Sequence, residues 1–359
     1  MQELVSFNAV ELALFLQALF NYEEGIYLII EDYVRFKPNT KEELELALRE
    51  YSENKIQTIY GPIEIWNTSL ITDMSSLFSG CTLFNSCIDR WDVSNVTDMT
   101  EMFWGCEYFN QPLNSWDVSS VTDISYMFCG CESFNQPLDK WDVSSVDNME
   151  SVFWGCRQFN QSINNWDVSN VTTMYNTFSI CTNFNQPLDK WNMTKVTYTK
   201  EMFSYCEKFN QPLDNWDVIN VTSMEEMFLE CRNFNQPLNN WDVTSVTDMN
   251  HMFDNCVSFN HPLDKWNTIN VEYLYGIFSS CILFNQPLDK WNVSKVKDMS
   301  YMFYKCVSFN QKLISWDVSS VNNMSNIFNG CYSFKQIIST WNINEFTNTN
   351  DMFTNTMFT

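Results

Sequence analysis

The sequence predicts a solenoid, and three observations carry the prediction. A 25-residue unit recurs without insertion or deletion, placing Trp at 66, 91, 116 and every 25th position to 341. Cys holds 81, 106, 131 and onward to 331, and Phe holds 78, 103, 128 and onward to 353. Residues before the first Trp follow another pattern. A fixed period of 20–50 residues marks a chain that stacks like units in one dimension, so 359 residues need not divide into separate cores. The expected layout is a helical cap at 1–55, a run of about 11–12 coils at 56–353, and a short tail at 354–359.

At the N-terminus, Asn8 can cap a helix through Val10, Leu14, Phe15, Leu19 and Phe20, and a second apolar run spans 25–30. Lys37-Pro38-Asn39 interrupts the pattern. Thr40 and Glu43 then form a capping box that opens a helix through Leu44, Ala47, Leu48 and Tyr51, apolar on one face and charged on the other. Such a helix covers the first coil and presents polar groups to water.

Within a coil, Met99, Met102, Phe103 and Cys106 fall at i, i+3, i+4, i+7, which predicts a short helix capped by Asp98. Ile180 and Lys305 occupy the column of Gly105, which predicts an ordinary right-handed turn there. Leu113, Trp116 and Val118 suggest an extended segment. Because Pro112 has no N–H to donate, its hydrogen-bonded part is expected after the proline, at 113–118. The Asn110 column reads as an asparagine ladder between coils, and the Asp117 column as Asx-turns. One unit cannot bury its own apolar face, so neighbours must share it.

Eleven of thirteen cysteines lie in one column, with no C-x-x-C pairs. That pattern reads as a file of buried free thiols in a reducing compartment rather than a disulfide framework. The net charge of −24 disfavours nucleic acid and anionic membranes and suits a basic protein partner. No apolar stretch is long enough to span a bilayer, and no secretory leader is visible, so the expected location is cytoplasmic.

The repeat F-N-Q-P-L-x-x-W-D-V-S-x-V-T-D-M-x-x-M-F-x-x-C resembles the BspA-like branch of the leucine-rich repeats, the 25/26-residue repeat of bacterial surface proteins. The resemblance covers residues 56–353. It implies a right-handed β-solenoid of leucine-rich-repeat type, with a short parallel strand and a short helix per coil. It also implies a protein-binding or adhesive role. Such repeats occur in bacterial surface proteins, mycoplasmas, protists and giant viruses. Without a leader or anchor, this chain fits an intracellular or viral member, with host cytoplasm or virion as its place. A secreted adhesin is the alternative.

No catalytic set, cofactor motif or metal site is expected. His251 and His261 share one repeat and read as surface drift. Function should lie where the columns vary. Trp104 and Trp154 are the two tryptophans outside the core column, Cys129 lies between them, and Tyr108 and Tyr126 sit in neighbouring columns. Together they predict an exposed aromatic patch that binds protein. At the other end, Phe353, Met357 and Phe358 offer an uncapped coil for end-to-end self-association.

Overall fold

The computed structural model describes residues 35–53 and 59–357. The N-terminal helix expected from Asn8, the apolar run at 25–30 and Phe358 lie outside the described residues.

Helix α1 spans Lys41–Glu53. Thr40 Oγ1 accepts the Glu43 N–H at 3.3 Å, and the Glu43 carboxylate reaches back to the Asn39 N–H at 2.7 Å. The capping box therefore forms with its return bond one residue early. Leu44 and Ala47 are fully buried against the first coil. Phe36, Tyr51 and Tyr60 surround the Trp66 ring with centroids 5.1–6.3 Å away, closing the lower end of the tryptophan file. A 3₁₀ turn at Ile63–Ile65 delivers the chain to Trp66.

From there the chain winds as stacked coils. Eleven parallel β-bridges join equivalent residues, Asp73 to Asp98, Asp98 to Asp123 and onward to Asn348, so twelve coils stack in register. The interior is made of files. Rings of the Phe78–Phe353 file stack at 5.4–5.9 Å. Each in-file Trp after Trp66 donates its indole N–H to a carbonyl 28 residues earlier, at 2.8–3.1 Å, as Trp116 does to Ile88. Each column Cys from 106 to 331 does likewise through its thiol, as Cys106 does to the Phe78 carbonyl. A buried polar atom without a partner costs about 1–3 kcal/mol; the step of 28 supplies one to every file indole from Trp91 on and every column thiol from Cys106 on. All thirteen cysteines are free.

Three expectations fail. The short helix per coil does not form. Met99, Met102, Phe103 and Cys106 are all buried, but successive tight turns put them there. Met102 N–H bonds to Met99 O, Trp104 to Glu101, and Cys106 to Phe103. Glu101 and Gly105 have φ of 57° and 71°. These left-handed residues break any helix and turn alternate N–H groups toward the next coil. The Gly105 column is left-handed throughout, including Ile180 at 63° and Lys305 at 55°, so the ordinary turn expected there is overturned. Asp98 accordingly accepts the Thr100 N–H in an Asx-turn and caps no helix.

The ladder expected at 113–118 is also absent. The Trp116 and Val121 N–H groups close turns onto Leu113 and Val118, and Asp117 Oδ1 takes the Ser119 N–H. Pro112 has none to give, so inter-coil pairing moves to the Asp123 column. The structure is thus a tandem-repeat solenoid built almost wholly of turns.

The asparagine ladder and the Asx-turns are present. Asn110 Oδ1 accepts the Asn135 N–H and the Gln136 amide at 3.0 Å, and the same pair recurs up the stack.

Candidate functional site

Trp104, Cys129 and Trp154 stand on consecutive coils, tied by Gly105 N–H to Cys129 O and Gly130 N–H to Trp154 O, both 2.7 Å. Trp104 is 46% exposed and Trp154 37%, while Cys129 between them is only 6% exposed. The two indoles thus flank a thiol that forms the floor. Burial raises the Cys129 thiol to about 11, although a contact with Trp104 pulls it the other way. It stays a neutral thiol at physiological pH and is no nucleophile.

Tyr108, four residues after Trp104, is exposed. Tyr126 is partly buried and donates its hydroxyl to Glu150. Burial, then that carboxylate, pushes its phenol up to about 12. Tyr126 therefore acts as a fixed donor beside the patch rather than an open ring. Of the five residues expected on this surface, three present exposed rings and two support them. At the far end Phe353 stacks on Phe328 at 5.7 Å and Met357 is exposed.

One feature of the site was not expected. Gly80, Gly105, Gly130 and Gly155 follow one another beside the Trp104–Cys129–Trp154 column, all with φ of 71–75°. A Cβ on Gly130 would stand 3.5 Å from the Gly105 Cα. From Ile180 to Lys305 the column carries side chains instead. The first coils therefore carry a side-chain-free backbone ledge next to Trp104 and Trp154, exposed at Gly80, half-buried at Gly105 and Gly130 and buried at Gly155. The period-25 glycines were its visible signal.

The setting is acidic. Residues 91–156 contain eleven Asp or Glu and a single basic residue, Lys140. Glu107 and Glu132 are exposed, and among the described residues only Glu132 of the two meets a cation, Arg157 at 3.5 Å.

The histidines prove structural. His251 bonds Asp254 at 2.9 Å and fills the space a Cβ on Gly276 would need, 2.8 Å away. His261 donates Nε2–H to the Asn235 carbonyl at 3.1 Å, the bond made elsewhere by the column's glutamines.

The model of a family described as "Mycoplasma protein of unknown function, DUF285" matches residues 47–155, 135–230, 212–313 and 283–359, four overlapping stretches that run from 47 to the last residue. No curated protein matches the chain.

Proposed function

The chain belongs to this DUF285 family of tandem repeats, and from that premise we propose that it is a non-enzymatic binding scaffold. Its proposed ligand is a basic segment of a partner protein, taken on the Trp104–Cys129–Trp154 face. The carrying observation is the coincidence, on coils that otherwise repeat, of two exposed indoles, a glycine ledge and an excess of carboxylates. An arginine or lysine side chain over an indole gains about 0.5–2 kcal/mol, and surrounding carboxylates steer its approach. The ledge lets a peptide backbone come close.

The same reading keeps the kinship with BspA-like repeats, supported by the F-N-Q-P-L-x-x-W-D-V pattern. It also keeps a cytoplasmic setting, supported by ten hydrogen-bonded, unpaired column thiols. Alkylation of the cysteines in intact cells tests that setting: oxidised thiols would sink it.

Titration of the full chain with an arginine-rich peptide, followed by tryptophan fluorescence, tests the binding. Binding should weaken as salt rises, and an acidic peptide should not bind. Replacing Trp104 and Trp154 by Ser should abolish binding with little change in melting temperature. A variant that melts much earlier while pulling down the same partners would show the rings to be structural cover.

A further inference from the structure

Around Trp104, Cys129 and Trp154 the hydrogen-bond acceptors are already engaged. Their own carbonyls take the N–H groups of Gly80, Gly105 and Gly130 at 2.6–2.7 Å. The carbonyls of Gly105, Gly130 and Gly155 take those of Glu107, Glu132 and Arg157 at 2.8–3.0 Å. Carboxylates are held as well. Glu101, whose charge is felt by the Cys129 thiol, accepts the Ser76 hydroxyl at 3.2 Å. Glu150 accepts the Tyr126 hydroxyl, and Glu132 pairs with Arg157 at 3.5 Å. The floor residue removes one more acceptor. Four other coils carry Ser in this column, at 79, 179, 204 and 279, and a hydroxyl there accepts hydrogen bonds well. A neutral thiol accepts them only weakly. The column therefore sits in a negative field that offers few free lone pairs.

Spacing adds a second condition. Parallel bridges join these coils in register, Asp98 to Asp123 and Asp123 to Asn148, so the levels of Trp104 and Trp154 lie two ladder steps apart, about 10 Å. A cation held over Cys129 stands one step, about 5 Å, from the level of either indole, inside the ~6 Å at which a ring face attracts it. An ammonium or guanidinium brought there leaves water without finding acceptors for all its N–H groups, and each orphaned donor costs binding. A quaternary ammonium has no N–H to orphan and keeps its full charge.

We infer that the side chain this face selects is a trimethylated lysine, its quaternary ammonium seated over Cys129 between Trp104 and Trp154. The inference rests on the basic-segment reading above and narrows it. Flanking lysines and arginines of the partner supply salt-dependent attraction, and the methylated side chain supplies selection. A choline lipid carries the same cation beside a phosphate. Eleven carboxylates against one lysine between 91 and 156 oppose that anion, so the occupant is a modified side chain of a protein.

Isothermal titration of the full chain with two basic peptides, alike except that the central lysine bears no methyl group or three, tests the inference. The trimethylated peptide should bind about tenfold tighter. Raised salt should weaken both and leave their ratio unchanged, because both carry the same charge. Cys129→Ser restores the acceptor found in other coils and should shrink the ratio toward one at an unchanged melting temperature, whereas Tyr304→Ser should leave it at the wild-type value. Equal binding of the two peptides by the wild-type chain, or tighter binding of the unmethylated one, would overturn the inference and leave the basic-segment reading standing. Binding of neither would overturn both. A third peptide, with an uncharged tert-butyl group in place of the trimethylammonium, should bind no better than the unmethylated one; affinity equal to that of the trimethylated peptide would reduce the site to plain apolar cover and overturn it. Phosphatidylcholine vesicles should not compete. Vesicles that displace the trimethylated peptide would move the site to a lipid and overturn the assignment of a protein side chain.

Discussion

Between residues 91 and 156 the chain carries eleven carboxylates and one lysine; the register-matched stretch six repeats on, 241–306, carries seven carboxylates and five lysines. Inside, the two stretches match: Phe128 and Phe278 occupy one file, Trp141 and Trp291 another, and all four are buried. Outside they diverge. In the later stretch Lys290 pairs with Asp264 at 2.9 Å, Lys305 lies 4.9 Å over the Tyr304 ring, and side chains fill the glycine column. In the earlier one the ledge is bare, the carboxylates mostly lack cations, and two indoles stand free. The comparison teaches that the files set the backbone and leave the surface columns free to vary, so chemistry that separates one coil from another has to be sought there.

The largest test asks whether the interior is as uniform as it looks. Phe128→Ala and Phe278→Ala should each destabilise by about 3–5 kcal/mol and by similar amounts, read from denaturant midpoints. A small loss at one site alone would break the equivalence.

Alkaline unfolding probes the same interior. Burial raises Cys106 from its ordinary 9.0 to about 12 and pushes Cys131, Cys156 and Cys181 well above 9.0. A raised value in the folded state favours the neutral thiol, so this stabilisation is complete below pH 9 and drains away as pH climbs from 9 toward 12. The melting temperature should fall steeply in that window, and less so in a variant with three column cysteines replaced by Ala, measured against its own value at pH 7.

The surfaces should separate more gently. Trp104→Ser with Trp154→Ser should lose about 2 kcal/mol or more of basic-peptide affinity, whereas Tyr304→Ser in the later stretch should lose none. Isothermal titration decides between them.

The smallest effect concerns the ledge. Ile180 is a β-branched residue held at φ 63°, a strain of about 1–2 kcal/mol. Ile180→Gly should raise stability by up to about 1 kcal/mol and extend the ledge by one coil. Gly130→Ala should lower it by a similar amount. Thermal melts of the pair give the sign.

The period made the files legible: any residue recurring at 25 meets its own kind in a stack, so Trp, Phe, Cys and Asn each declared an interior or ladder role. The path between them was misread. A run of turns with left-handed residues at 101 and 105 buries i, i+3, i+4 and i+7 as a helix does, and apolar spacing does not distinguish the two. The glycines at 80, 105, 130 and 155 were the available warning, offset by Ile180 in the same column. Trp104 and Trp154 were legible as departures from their column. The engagement of Glu101 by Ser76 and of Glu150 by Tyr126 was not, since it depends on which side chains meet across a junction, which no local pattern encodes.

The clasp by which each indole and thiol reaches back 28 residues has an architectural consequence. Because the step is the same everywhere, excising any whole block of 25 residues, or inserting one, rejoins like to like and leaves no clasp without its socket. Length is therefore a quantity this protein can change in whole units without relearning how to fold.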